Sequence, residues 1–136
     1  MQKMHMFPLN HNYSTMHFAI FGAIILGGFP DYESDKETGK RTLTVILGKR
    51  NASLISLISI FISLIFSINI IYSSMLGFAS IFFIIVIFHG MIIIYFLFNL
   101  LMANKIESRI DKLLQMSLSY ILWFTLIPLF YLLNIF

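Results

Sequence analysis

The chain of 136 residues is 59% hydrophobic and only 11% charged, with mean hydropathy +0.90 and a formal net charge of +3. A soluble domain carries about 25% charged residues, so this charge is too sparse to coat a solvated globule, and the composition reads as an all-α integral membrane protein. The absence of cysteine excludes disulfides and thiolate metal sites, and the basic residues lie beside apolar stretches instead of forming a surface patch, which points away from nucleic acid.

A hydrocarbon core about 30 Å thick takes roughly 20 helical residues. Residues 13–29 are apolar but at the short limit, and form an expected first span that ends at Pro30. A charged loop follows at 30–50. The second span is expected at 51–72, the third at 76–102 and the fourth at 116–136, with a second charged loop at 103–115. Eight of the nine basic residues fall in these two loops: Lys36, Lys40, Arg41, Lys49 and Arg50 in one, Lys105, Arg109 and Lys112 in the other. The turn at 73–75 and the C-terminal residues carry no charge. The positive-inside rule then makes both charged loops cytoplasmic in a multi-pass protein of the cell membrane, with both ends outside. The first span begins with almost no lead-in. That favours the C-terminal part of a larger membrane protein, with a free-standing four-helix protein as the alternative.

Within the second span Ser53, Ser56, Ser59, Ser63 and Ser67 recur every three or four residues. This spacing places them on one face, where hydroxyls bonded to i−4 carbonyls allow close helix packing. His89 falls near the middle of the third span; it reads as a neutral side chain bonded to a neighbouring helix or as a substrate contact. Asn69 and Asn99 lie near span ends. Glu107 and Asp111, beside Lys105, Arg109 and Lys112, read as a solvated amphipathic connector. Tyr120 and Trp123 lie deep enough to pack between helices, and Tyr131 fits an aromatic belt. His5, His11 and His17 have no paired ligand spacing.

The most distinctive segment is 30–48, which holds four of the six acidic residues and three of the nine basic ones. Residues 31–38 form about two helical turns with Gly39 as the stop. Asp31 and Asp35 then share a face. Two carboxylates about 6 Å apart repel by roughly 3 kcal/mol at an effective dielectric near 20, and a divalent cation is a natural compensation. Acidic pairs beside Lys36, Lys40 and Arg41 suit a metal–phosphate site. They also suit a solvated cytoplasmic loop, and the charge pattern alone leaves both open.

The run Phe29-Pro30-Asp31-Tyr32-Glu33-Ser34-Asp35-Lys36-Glu37-Thr38-Gly39-Lys40-Arg41-Thr42-Leu43-Thr44-Val45-Ile46-Leu47-Gly48 resembles the second aspartate-rich motif of the UbiA superfamily of intramembrane prenyltransferases. That motif is D-x-x-x-D, then a basic Gly-containing segment and T-L-x-V-x-L-G. The Phe-Pro-Asp-Tyr-Glu opening is most similar to the menaquinone-type dihydroxynaphthoate prenyltransferases. The resemblance implies the C-terminal part of a nine-helix bundle, of which this chain would form about four transmembrane helices. It implies Asp31 and Asp35 as Mg²⁺ ligands, and Lys36, Lys40 and Arg41 as partners of the diphosphate. It further implies a polyprenyl diphosphate and an aromatic acceptor as substrates, in quinone biosynthesis. The family's first motif, N-D-x-x-D, is not in these residues, and Gly27 and Gly28 stand where many members have Asn. Activity is therefore expected only with a separate N-terminal half that carries the first motif. The competing readings are a non-catalytic membrane protein derived from that fold and an unrelated small bundle.

Overall fold

The computed structural model describes residues 9–72, 80–103, 115–123 and 126. Four helices are assigned: α1 Leu9–Gly27, α2 Tyr32–Glu37, α3 Leu43–Tyr72 and α4 Ser80–Ala103. Residues 115–123 are also helical, and no strand occurs among the described residues. The expected all-α class is therefore observed. His5, Lys105, Glu107, Arg109, Asp111, Lys112 and Tyr131, and most of the expected fourth span, lie outside the described residues.

α3 is the central helix, packed against α1 on one side and α4 on the other, with α2 touching its base. Two helices are long and apolar enough to cross a membrane, Leu43–Tyr72 and Phe82–Asn99; the apolar part of α1, Ser14–Gly27, is shorter. Inside the charged loop expected at 30–50, α2 forms where about two helical turns were expected at 31–38, and an opening turn of α3 begins eight positions before the expected second span.

Local chemistry accounts for these boundaries. α1 ends in turn bonds from Gly28 N to Ile25 O and from Phe29 N to Leu26 O, and Pro30 then biases the preceding residue away from helix. α2 starts at Asp31, whose carbonyl accepts from Asp35 N at 2.8 Å. It stops at Gly39, which adopts φ +71°. Lys40 N donates to Asp35 O at 2.8 Å and Gly39 N to Lys36 O at 3.3 Å, the pair of bonds that closes a helix through a left-handed residue. α3 opens at Thr42, whose hydroxyl accepts from Val45 N at 3.4 Å, an N-cap arrangement. Gly48, at φ 74° and ψ 154°, breaks α3 into a short turn and a long helix.

The serine face is the packing surface of α3. All five of its serines are buried. Ser53, Ser59 and Ser67 donate to the carbonyls of Lys49, Ile55 and Ser63 in their own helix. Ser56 and Ser63 instead cross to α1, donating to Gly22 O at 2.7 Å and Thr15 O at 3.1 Å. Ser63 lies 3.3 Å from the buried Tyr120 hydroxyl; since its own proton goes to Thr15, Tyr120 donates. One serine thus ties α1, α3 and the 115–123 helix together. His89 closes the other side, its Nε2 donating to Met116 O at 2.9 Å. The bond to a neighbouring helix is the one expected of His89.

Candidate functional site

The charged residues of 31–50 gather at one end of the helix pair α1–α3, and three contacts hold them there. The buried Thr44 hydroxyl, in the opening turn of α3, donates to Ile25 O in α1 at 3.3 Å. Gly28 lies so close that a Cβ in its place would run into Thr44 Oγ1. The Lys49 ammonium, just beyond the Gly48 break, reaches back to α2 and meets Glu33 Oε1 at 2.7 Å.

The two aspartates occupy unlike environments. Asp31 is exposed at the N-cap of α2 and makes no side-chain cap bond. Asp35, one turn on, is buried, and its carboxylate pairs with Lys40 Nζ at 3.1 Å. The helix brings Asp31 and Asp35 onto neighbouring turns as their spacing implied. It does not make them equivalent.

The cations also divide. Lys40 is committed to Asp35. Lys49 and Lys36 flank the Tyr32 ring, with ammonium nitrogens 4.8 Å and 5.9 Å from its centroid, within the range of cation–π attraction. Arg41 and Arg50 are exposed. Lys49 was not among the expected site residues. Its partner Glu33 lies 16 positions away on another helix, a separation that no sequence period encodes. The Lys49 hydrogen bond is the main reason that the Glu33 carboxyl is held below its usual range; desolvation opposes this, and the charges of Lys49 and Lys36 add to it.

The hard carboxylate oxygens suit Mg²⁺, which is usually held by one or two carboxylates together with substrate phosphates. Among the described residues no group of three or more metal-capable side chains gathers. Away from this end, an apolar cavity of about 430 Å³ lies between α4 and the 115–123 helix, with Phe88, His89, Met116 and Trp123 in its wall. Its lining offers hydrocarbon contact and no converging polar groups. No family model matches the chain, and neither a curated protein nor a solved structure does.

Proposed function

We propose that this chain is a multi-pass membrane protein that contributes the second acidic loop of a UbiA-type aromatic prenyltransferase. The reaction moves a polyprenyl group from its diphosphate to an aromatic acceptor in quinone biosynthesis. The observation that carries this reading is the run 29–48, in which Asp31 and Asp35 lie one helical turn apart with Lys36, Lys40 and Arg41 directly following. The membrane part is supported by an inside-out polarity. Serines are buried along α3 while Phe61, Ile65 and Ile68 are exposed, and Phe88, Met91 and Phe98 are exposed on α4. On this reading α1 and the expected fourth span, 116–136, also cross the bilayer, and both charged loops face the cytoplasm.

Asp31 and Asp35 would hold Mg²⁺ jointly with the substrate diphosphate, and the metal would neutralise the leaving group's charge. Lys36 and Arg41 take up the remaining phosphate charge. Lys40, paired with Asp35 here, would be a further cation for the phosphate. The apolar helix walls exclude water from the allylic centre. Half of such a clamp is not expected to turn over alone.

Mn²⁺ resonance tests the reading, with Mn²⁺ standing in for Mg²⁺. The purified chain should bind the ion appreciably only when inorganic diphosphate is added, and Asp31→Asn or Asp35→Asn should abolish that binding. An unchanged spectrum in both variants sinks the assignment. Prenyl transfer from geranyl diphosphate to dihydroxynaphthoate by the chain alone would refute the need for a second polypeptide. A non-catalytic protein derived from this fold is the second reading. It is favoured by one observation: the Lys40 pair already neutralises Asp35.

A further inference from the structure

We propose that residues 41–50 form a docking surface for anionic phospholipid, in which Leu43 and Ile46 enter the acyl boundary and Arg41 and Arg50 hold headgroup phosphates. This rests on the membrane reading above and not on the enzymatic one.

The opening turn of α3 has two sides. Its inner side is anchored by Thr44 on Ile25 O. Its outer side presents Leu43 and Ile46, which are 44% and 65% exposed and, three positions apart, lie on one helical face. Gly48 interrupts the helix directly after this turn, so the turn need not follow the axis of the long helix. Large apolar side chains at the polar end of a spanning helix are costly in water and at home in the acyl boundary.

The charges around this pair are sorted to match. Lys40 and Lys49 are taken up by Asp35 and Glu33, and Lys36 lies over Tyr32. Arg41 and Arg50, which bracket the apolar turn, are exposed and have no acidic partner among the described residues. Guanidinium groups bind phosphate oxygens in a bidentate manner. Cations held at a bilayer surface select anionic lipid by about fivefold each. A soluble partner fits less well, because it would have to cover the apolar pair and the arginines at the level where the span enters the bilayer. Bound this way, lipid fixes the height of α2, and with it the depth of Asp31.

Arg41 is also a proposed diphosphate contact, so the experiment separates lipid from soluble phosphate. The sole tryptophan, Trp123, is replaced by Phe, and Ile46→Trp is introduced as the probe. The full chain is placed in nanodiscs that contain equal fractions of phosphatidylglycerol and phosphatidylcholine, one or the other brominated on its acyl chains just below the headgroup. Brominated phosphatidylglycerol should quench the introduced indole several-fold more effectively. Arg41→Gln with Arg50→Gln should bring the ratio close to one. A probe at Phe61→Trp, far down the long helix, should show no headgroup preference. Native mass spectrometry of the unaltered chain should show retained phosphatidylglycerol that the double arginine variant loses. Equal quenching by the two lipids overturns the proposal, as does a preference that survives the arginine replacements. A preference erased by millimolar inorganic diphosphate at constant ionic strength also overturns it, assigning the arginines to a soluble phosphate. Failure of the Mn²⁺ experiment with intact lipid selectivity would reject the enzymatic reading alone.

Discussion

The Ser56 hydroxyl donates to the Gly22 carbonyl at 2.7 Å, and the missing side chain of Gly22 is what admits α3 to that distance. A Cβ at position 22 would stand 3.0 Å from Ile60 Cγ1 and 3.2 Å from Ser56 O. The first neighbour can turn aside; the second is backbone and cannot. Gly22→Ala is therefore expected to cost about 1 kcal/mol, and Gly22→Leu to force the helices apart at about 3 kcal/mol or more. Ser56→Ala removes one cross-helix bond and should cost about 0.5–1 kcal/mol. Unfolding of the chain in mixed micelles measures all three. A Gly22→Leu variant as stable as Ser56→Ala would show that α1 and α3 do not pack through this glycine.

Gly28 and Thr44 form a second close contact with a different consequence. A Cβ at position 28 meets the Thr44 hydroxyl, the group that donates to Ile25 O. Gly28→Ala should therefore break that bond as well as add strain, at a total of about 1–3 kcal/mol. Thr44→Ala alone loses only the bond. In the double variant the added methyl occupies space the hydroxyl has vacated, so the two costs should fall short of their sum by at least about 0.5 kcal/mol. Strict additivity in a double-mutant cycle would mean that the two residues do not touch.

How far these relationships were legible beforehand differs from one to the next. Gly39 as the stop of α2 was readable, because a short polar helix followed by glycine leaves few alternatives. The serine face was readable from its period. Its division was not: period specifies a face, whereas the bonds of Ser56 and Ser63 to Gly22 and Thr15 depend on the register of α1 against α3. The i,i+4 spacing of Asp31 and Asp35 was visible, yet that spacing does not encode their unlike exposure. The start of α3 at Leu43 was not read, because Gly48 separates the opening turn from the long apolar span and acts as a break inside one helix. The family resemblance of 29–48 stays a resemblance, since no comparison supports or opposes it.

The Glu33–Lys49 pair carries a pH signature. The Lys49 hydrogen bond leads in holding the Glu33 carboxyl below its ordinary value of 4.5, opposed by desolvation and aided by the charges of Lys49 and Lys36. A carboxyl lowered in the folded state adds stability above its unfolded value and loses it as pH falls through the folded one. The contribution is thus complete at neutral pH and disappears in the acid range below 4.5. Because Glu33 is exposed, the energy is small and the titration itself is the better readout. The chain has three glutamates, Glu33, Glu37 and Glu107, few enough to assign by ¹³C-carboxyl resonance. Glu33 should titrate below the ordinary value in the native chain and return toward it in Lys49→Gln. A Glu33 midpoint indifferent to Lys49→Gln would mean that the 2.7 Å contact does not persist in solution.

Asp31 and Asp35 are predicted to separate structure from ligand binding. Asp31 is exposed and makes no cap bond with its side chain, so Asp31→Asn should leave stability within about 0.5 kcal/mol of the native chain. Asp35 has a side chain only 9% exposed and pairs with Lys40, which is 67% exposed. Solvent around the lysine weakens that pair, and Asp35→Asn should cost about 0.5–1 kcal/mol. Lys40→Gln should cost a similar amount or more, because it leaves the buried carboxylate without its partner. Binding of Mn²⁺ with diphosphate should follow another order. Asp31→Asn and Asp35→Asn should each abolish it, whereas Lys40→Gln, by freeing Asp35, should weaken diphosphate binding far less than the loss of either carboxylate. If Asp31→Asn is silent in both stability and ion binding, Asp31 is only the first residue of a solvated turn, and the metal reading of α2 fails at the residue where structure offers no competing explanation.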